Sequence, residues 1–165
     1  MHNHYQSPWF VEALNKEKNL KLNKLNGNLS CDICIVGGGF TGLWTAIKIK
    51  EKKPHTNIIL IEKDLCGSGA SGRNGGCMIP QSTKFQGIRD VVGVDDAKQM
   101  VLSTEAAVKH IKDFCFENEI NAEIRDDGVF YGATNKFHQG SFESLIKDLN
   151  QHKINSWERL SKEKV

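Results

Sequence analysis

The chain of 165 residues carries 22 Lys+Arg against 20 Asp+Glu, with 39% apolar residues, 15 Gly and 5 Cys. That length suits one ordinary domain, and a formal charge of +2 gives no polyelectrolyte-seeking surface, which disfavours a dedicated DNA or RNA binder. No apolar stretch reaches the roughly eighteen residues of a membrane span, and Met1–Gln6 shows no charged region leading into an apolar run, so the expectation is a soluble cytoplasmic protein without a secretion signal.

Residues 1–30 read as a polar lead-in with a short aromatic cluster, Trp9-Phe10, followed by an Asn/Lys-rich run from Asn15 to Asn28. Lys16, Lys18, Lys21 and Lys24 are offset by Glu12 and Glu17 and have no interleaved aromatics, which suits a solvated connector better than a nucleic-acid patch. Residues 31–165 form the second segment. Cys31 to Val36 reads as a buried strand, on which Cys31 and Cys34 point to opposite faces and pack as core thiols rather than converge on a metal. The odd number of cysteines suits free thiols in a reducing compartment.

Gly37-Gly38-Gly39 stops the strand, and Leu43, Ala46, Ile47 and Lys50 follow helical spacing up to Lys53-Pro54, where proline forces extended geometry. Asn57 to Glu62 is a continuous apolar run ending in an acid, as in a strand covered on both faces. Strand, glycine turn, helix and parallel strand make one βαβ unit. Lys63 to Pro80 is glycine-rich and neither helical nor strand-like.

Beyond it, Asp95-Asp96 caps a helix with Met100, Val101, Thr104, Val108, Ile111 and Cys115 along its core side. Glu123-Ile124-Arg125, Asp127-Gly128 and Val129-Phe130-Tyr131 predict a β-hairpin, with Asp126-Asp127 serving the turn. A last helix is expected over Ser141 to Gln151, followed by Trp157 and the charged Lys162-Glu163-Lys164. His2 and His4 belong to a terminus expected to be mobile, and His55, His110, His138 and His152 do not stand at triad or metal-ligand spacing.

Gly37-x-Gly39-x-x-Gly42 between strand and helix, with Glu62 twenty residues further on, carries the chemistry. Gly37 permits the sharp turn, Gly39 lets a pyrophosphate approach the backbone, and Gly42 lets the helix pack closely on the strand. The helix N-terminus offers N–H groups to phosphates, and Glu62 accepts from a ribose while repelling a 2′-phosphate. The loop Gly67 to Gly76 adds backbone N–H groups, Ser hydroxyls and Arg73.

The segments Cys31 to Gly42, Ile61-Glu62-Lys63 and Gly69-Ala70-Ser71-Gly72-Arg73-Asn74-Gly75-Gly76 resemble the start of the FAD-dependent oxidoreductases of the D-amino-acid oxidase type. Within them the loop is most similar to the gamma-glutamylputrescine oxidoreductase branch, and Ser7-Pro8-Trp9 is compatible with it. The resemblance implies an α/β fold: an incomplete Rossmann-like FAD-binding βαβ domain with an inserted helix and β-hairpin. It implies that Gly37, Gly39 and Gly42, with Phe40 and Thr41, contact the FAD pyrophosphate, that Glu62 holds the adenosine ribose, and that Lys63 flanks the adenine. Ala70, Ser71, Arg73, Asn74, Gly75 and Gly76 would run beside the pyrophosphate, ribityl chain and flavin. Cys77 is read as a small buried thiol.

The implied reaction takes a hydride from the carbon bearing the amine of a small-molecule amine or amino acid to the flavin, giving an imine that water hydrolyses. No catalytic residue is assigned, because the substrate-side segments, the C-terminal remainder of the FAD domain and most of a substrate domain are expected to be missing. Two alternatives stand beside this reading. One is a fragment of an NAD-dependent Rossmann dehydrogenase. The other is a non-catalytic truncated or split-gene product whose remainder is separately encoded. The chain alone is expected to retain FAD weakly or not at all and to turn nothing over.

Overall fold

The computed structural model describes residues 7–17 and 23–161. Lys18 and Lys21 of the expected connector, His2, His4 and the tail Lys162-Glu163-Lys164 lie outside them. The chain divides into two units, Met1–Cys77 and Met78–Val165.

In the first unit the sequence Ser7-Pro8 starts a helix for two local reasons. Proline's fixed φ suits the first helical position, and the Ser7 hydroxyl accepts the Phe10 N–H at 3.2 Å. Helix α1 thus spans Pro8–Lys16 within the polar lead-in, and the described residues 23–30 are irregular and exposed. Strands β1 (Ile33–Val36) and β2 (Ile58–Ile61) pair in parallel, Ile33 opposite Ile58 and Val36 opposite Ile61, and helix α2 (Phe40–Lys52) crosses between them. This is the expected βαβ unit. Helix α2 stops at the Lys53 cap, just before Pro54, and Lys50 Nζ donates to the carbonyls of Pro54 (3.0 Å) and Thr56 (2.7 Å).

The strand expected to be buried is only half so. Ile33 and Ile35 are partly covered, whereas Cys34 and Val36 are exposed, Val36 at 80%. Alternate side chains point to opposite faces, and α2 approaches the Ile35 face, while the Cys34 face is exposed among the described residues. Cys34 and Cys77 are therefore surface thiols, not the packed ones expected, and Cys31 is half-buried.

The second unit is helical. A 3₁₀ turn (Gln81–Lys84) leads into α3 (Phe85–Val92), then α4 (Val94–Glu117) and α5 (Glu143–Gln151). Gly93, at φ +88°, lets the chain turn sharply between α3 and α4 and takes the cap position expected of Asp95-Asp96, which sit instead in the first turn beside the positive helix end. Helices α3 and α4 pack together, α5 packs on α3, and Phe85, Ala97, Val101, Leu145, Leu149 and Ile154 form the core. Along α4 Val101 is buried, Thr104, Val108, Ile111 and Cys115 are half-buried, and Met100 is exposed.

Buried polar groups here are paired. Asp148 meets Arg89 Nη1, and its other oxygen lies 3.3 Å from His152 Nδ1. Trp157 Nε1 donates to the Ser82 hydroxyl at 3.1 Å and stacks on Tyr131 at 4.8 Å between centroids.

The expected hairpin is absent. Residues 120–133 form no strand, and Ile124, Val129 and Phe130 are exposed. Gly128 keeps the turn-type φ of +80°, yet the flanking segments do not pair. A lone hairpin is marginal without a surface for its apolar face, and here ion pairs draw the turn acids elsewhere: Asp126 to Lys112 and Asp127 to Arg125 Nε at 2.7 Å.

Among the described residues, no helix is long and apolar enough to cross a membrane, and no group of three or more His, Cys, Asp or Glu could hold a metal.

Candidate cofactor site

The site grows from the turn after β1. Gly37, at φ +105°, swings the chain off the strand while its N–H remains bonded to the Ile61 carbonyl at 2.8 Å. Gly39 then caps α2 in extended geometry. A helix leaves its first N–H groups without intrahelical acceptors, here those of Gly39, Phe40, Thr41 and Gly42. Gly42 sits so close to the turn that a Cβ there would lie 2.0 Å from the Gly37 carbonyl oxygen. The three fingerprint glycines thus do three different jobs.

Glu62, just past β2, reaches back to this turn. Its Oε2 accepts the Gly38 N–H at 2.7 Å, and its Oε1 accepts the Asp64 N–H at 3.1 Å. These backbone donors, Gly38 first, hold its carboxyl below the ordinary carboxylate range against a smaller opposing effect of burial. With the folded pKa lowered, the stabilising contribution is complete above the unfolded value near 4.5 and is lost as pH falls through the folded one. Glu62→Gln keeps an acceptor but not the charge. The thermal-midpoint gap between wild type and this variant should therefore stay constant well above pH 4.5 and narrow progressively as pH falls below it; a gap that stays constant on acidification would remove the charge from the argument.

The second glycine loop docks on the first turn. Gly67 N–H donates to the Gly38 carbonyl at 3.0 Å, and the Ser71 hydroxyl accepts the Phe40 N–H at 2.9 Å. Gly38 is buried, and a Cβ there would meet Cys66 Sγ at 2.4 Å. Asn74 braces the loop internally, donating to the Ser71 carbonyl at 2.7 Å and accepting the Gly76 N–H at 2.8 Å. From its other side the Ser7 hydroxyl donates to the Gly72 carbonyl.

This loop repeats the geometry of the first turn. Gly67-x-Gly69-x-x-Gly72 has the same spacing; Gly67 has φ +83°, Gly69 caps a short 3₁₀ turn (Ala70–Gly72), and a Cβ at Gly72 would lie 2.3 Å from the Gly67 carbonyl oxygen. The spacing was available in the sequence as a signal, and it points to Gly67 and Gly72 as structural partners of Gly37 and Gly42. Gly38, Cys66 and Ser7 have no such signal, since their roles arise from contacts between distant segments.

Of the residues singled out by sequence, Gly37, Gly39, Phe40, Gly42, Glu62 and Ser71 come together at the turn. Thr41 is exposed in the first turn of α2, where its carbonyl accepts the Thr45 hydroxyl. Lys63, Ala70, Arg73, Gly75 and Gly76 are exposed. Orphan helix N–H groups, closely approachable glycine backbone and an acid at the end of the neighbouring strand suit the pyrophosphate and ribose of a dinucleotide.

The profile of the DAO family, FAD dependent oxidoreductase, matches residues 32–165, and the chain belongs to that family, whose cofactor is FAD. Among curated proteins it is 28% identical over 156 residues to gamma-glutamylputrescine oxidoreductase of Escherichia coli, covering 94% of this chain and 34% of that protein. It is 30% identical over 127 residues to a probable oxidoreductase OrdL of Rhizobium meliloti, covering 76% of this chain and 27% of the relative. A putative Rieske 2Fe-2S iron-sulfur protein of Bacillus subtilis, YhfW, is 27% identical over 140 residues. The chain spans about a third of the length of these curated relatives, between 27% and 34% of each. No solved structure matches it.

Proposed function

We propose that this chain supplies the dinucleotide-holding part of an FAD-dependent oxidoreductase acting on a small-molecule amine or amino acid, such as a gamma-glutamylated polyamine. The observation that carries the reading is the knit of two like glycine turns over Glu62, with first-turn N–H groups of α2 beside them. Gly37, Gly39, Phe40, Thr41 and Gly42 would hold the pyrophosphate, Glu62 the ribose, Lys63 the adenine side, and Ala70, Ser71, Arg73, Asn74, Gly75 and Gly76 the stretch towards the flavin. When bound, FAD supplies the hydride acceptor for amine oxidation. This chain's own part is binding and orientation.

The exposed Cys34 and Val36 face of the sheet, and the groove lined by Ile33, Trp44 and Ile49 beside α2, fit a fold completed by further polypeptide equivalent to the rest of the relatives. Free thiols at all five cysteines suit a reducing, cytoplasmic setting.

FAD titration of the purified chain tests the reading. The expected result is weak, saturable quenching of flavin fluorescence, competed by ADP, with no turnover of amines by the chain alone. Saturable binding of NAD with none of FAD would replace this reading with that of a nicotinamide-dependent dehydrogenase.

A further inference from the structure

The second glycine loop is supported partly from within, by the turn Ala70–Gly72 and the Asn74 brace, and partly by α1, which lies ahead of the family-matched residues 32–165. Glycine has more conformational freedom to lose on folding than any other residue, so a loop so rich in it depends on what packs against it. At α1, Ser7, Phe10 and Leu14 are half-buried while Trp9, Val11 and Glu12 are exposed, so the helix turns one side towards the protein. The Phe10 ring on that side covers two of the loop's glycines at once. An ideal Cβ on Gly67 would stand 3.8 Å from Phe10 Cε2, and one on Gly72 would stand 3.4 Å from Phe10 Cδ2. The Ser7 hydroxyl serves both partners: it accepts the Phe10 N–H at 3.2 Å, which caps α1, and donates its own proton to the Gly72 carbonyl. One hydroxyl therefore ties the start of the helix to the loop that the helix covers.

We propose that α1 is a clamp on the second glycine loop, with Ser7 and Phe10 as positioning residues that set cofactor affinity from outside the glycine fingerprint. The loop in turn steadies the first turn, through the Gly67 N–H on the Gly38 carbonyl and the Phe40 N–H on the Ser71 hydroxyl. Releasing α1 frees the loop, and a freed loop no longer makes those two bonds. Apparent affinity then falls with the fraction of chains in which the loop is docked. The effect on affinity rests on the FAD reading of the site; the clamp itself does not.

Amide hydrogen exchange and FAD titration of wild type, Phe10→Ala, Ser7→Asp, Ser7→Thr and Trp9→Ala test the clamp. Aspartate caps a helix as well as serine does but has no proton to give the Gly72 carbonyl, so Ser7→Asp separates the clamp from the stability of α1. In Phe10→Ala and Ser7→Asp, exchange at Gly67, Gly72 and Phe40 should quicken about tenfold or more as the loop opens locally. Exchange at Ile33 and Gly37, whose N–H groups bond to the Asn57 and Ile61 carbonyls, should keep the wild-type rate. FAD should bind about threefold or more weakly to both variants. Ser7→Thr, which keeps the hydroxyl, and Trp9→Ala, which removes an exposed side chain of the same helix, should match wild type in both measurements. Loop exchange unchanged in Phe10→Ala and Ser7→Asp overturns the clamp. Equal acceleration at Ile33 and Gly37 overturns it too, because that marks a general loss of fold. Faster loop exchange with unchanged FAD affinity overturns the positioning role and leaves the cofactor reading standing. A wild-type chain that binds no FAD overturns the cofactor reading and the effect on affinity with it, while the exchange pattern still decides the clamp.

Discussion

Gly42→Ala should abolish saturable FAD binding and lower the stability of the first unit by about 3 kcal/mol, the upper part of the range for overpacking. The added Cβ would lie 2.0 Å from the Gly37 carbonyl oxygen and 3.3 Å from Ile35 Cγ2. Neither neighbour can easily yield. Gly37 is tied to β2 through its N–H on Ile61, and Ile35 sits in the strand ladder opposite Leu60. Relief requires α2 to lift off the strand, which moves the first-turn N–H groups away from the place where they act together.

Neighbouring glycines give an internal scale. At Gly38 the obstruction is Cys66, whose Sγ at 2.4 Å can rotate while its Cα at 3.2 Å cannot, so alanine there should loosen the second loop and cost less. At Gly39 the backbone is extended and the nearest atom among the described residues is the Ser71 hydroxyl oxygen at 2.9 Å, so alanine should cost least in stability and act mainly through Ser71. Urea denaturation and FAD fluorescence quenching together give the order Gly42, Gly38, Gly39 in stability lost. A Gly42→Ala chain with wild-type midpoint and affinity would show that the strand–turn–helix junction is not the close-packed element described.

What was legible in the sequence follows from range of interaction. The βαβ unit was readable because its determinants are local: an apolar run, glycines at turn positions, a helical stripe and Pro54 just past the helix end. The Glu62–Gly38 bond joins residues 24 apart and the Ser71–Phe40 bond residues 31 apart, so no local pattern announces either. Helix α3 was missed because Gly87 lies inside it and its core residues, Phe85 and Ile88, make too short a stripe to stand out; only packing on α4 and α5 gives it a buried side. Gly93, with its positive φ between two helices, was the available stop signal. The hairpin failed in the opposite way. Asp127-Gly128 is a strong local turn signal, but alternating residues such as Val129 and Tyr131 form a stable strand only when a second layer takes one face. Turn propensity at Gly128 survived, and pairing did not.

Phe85→Ala should be the most damaging substitution in the second unit, lowering its stability by about 3 to 5 kcal/mol. Phe85 is fully buried and is the largest side chain in a core whose fully or nearly fully buried apolar members, among the described residues, are Phe85, Ala97, Val101, Leu145, Leu149 and Ile154. Its ring lies 5.3 Å from that of His152, and His152 in turn approaches Asp148, the partner of Arg89. Truncation therefore opens a cavity and removes the wall against which His152 is set. So small a core has little to repack with, and whole domains are stable by only about 5 to 15 kcal/mol, so a loss of this size should leave the helices α3, α4 and α5 without cooperative unfolding. Phe116 and Phe137 are 87% and 97% exposed, and alanine at either should change stability by no more than about 0.5 kcal/mol. Urea melts followed by the fluorescence of Trp157, in chains with Trp9 and Trp44 replaced by Phe, separate the two cases, because Trp157 packs on Phe142 and Tyr131 beside this core. A midpoint in Phe85→Ala equal to that of Phe137→Ala would mean that Phe85 does not organise the unit, and the packing of α3 on α4 would have to be drawn from Ile88 instead.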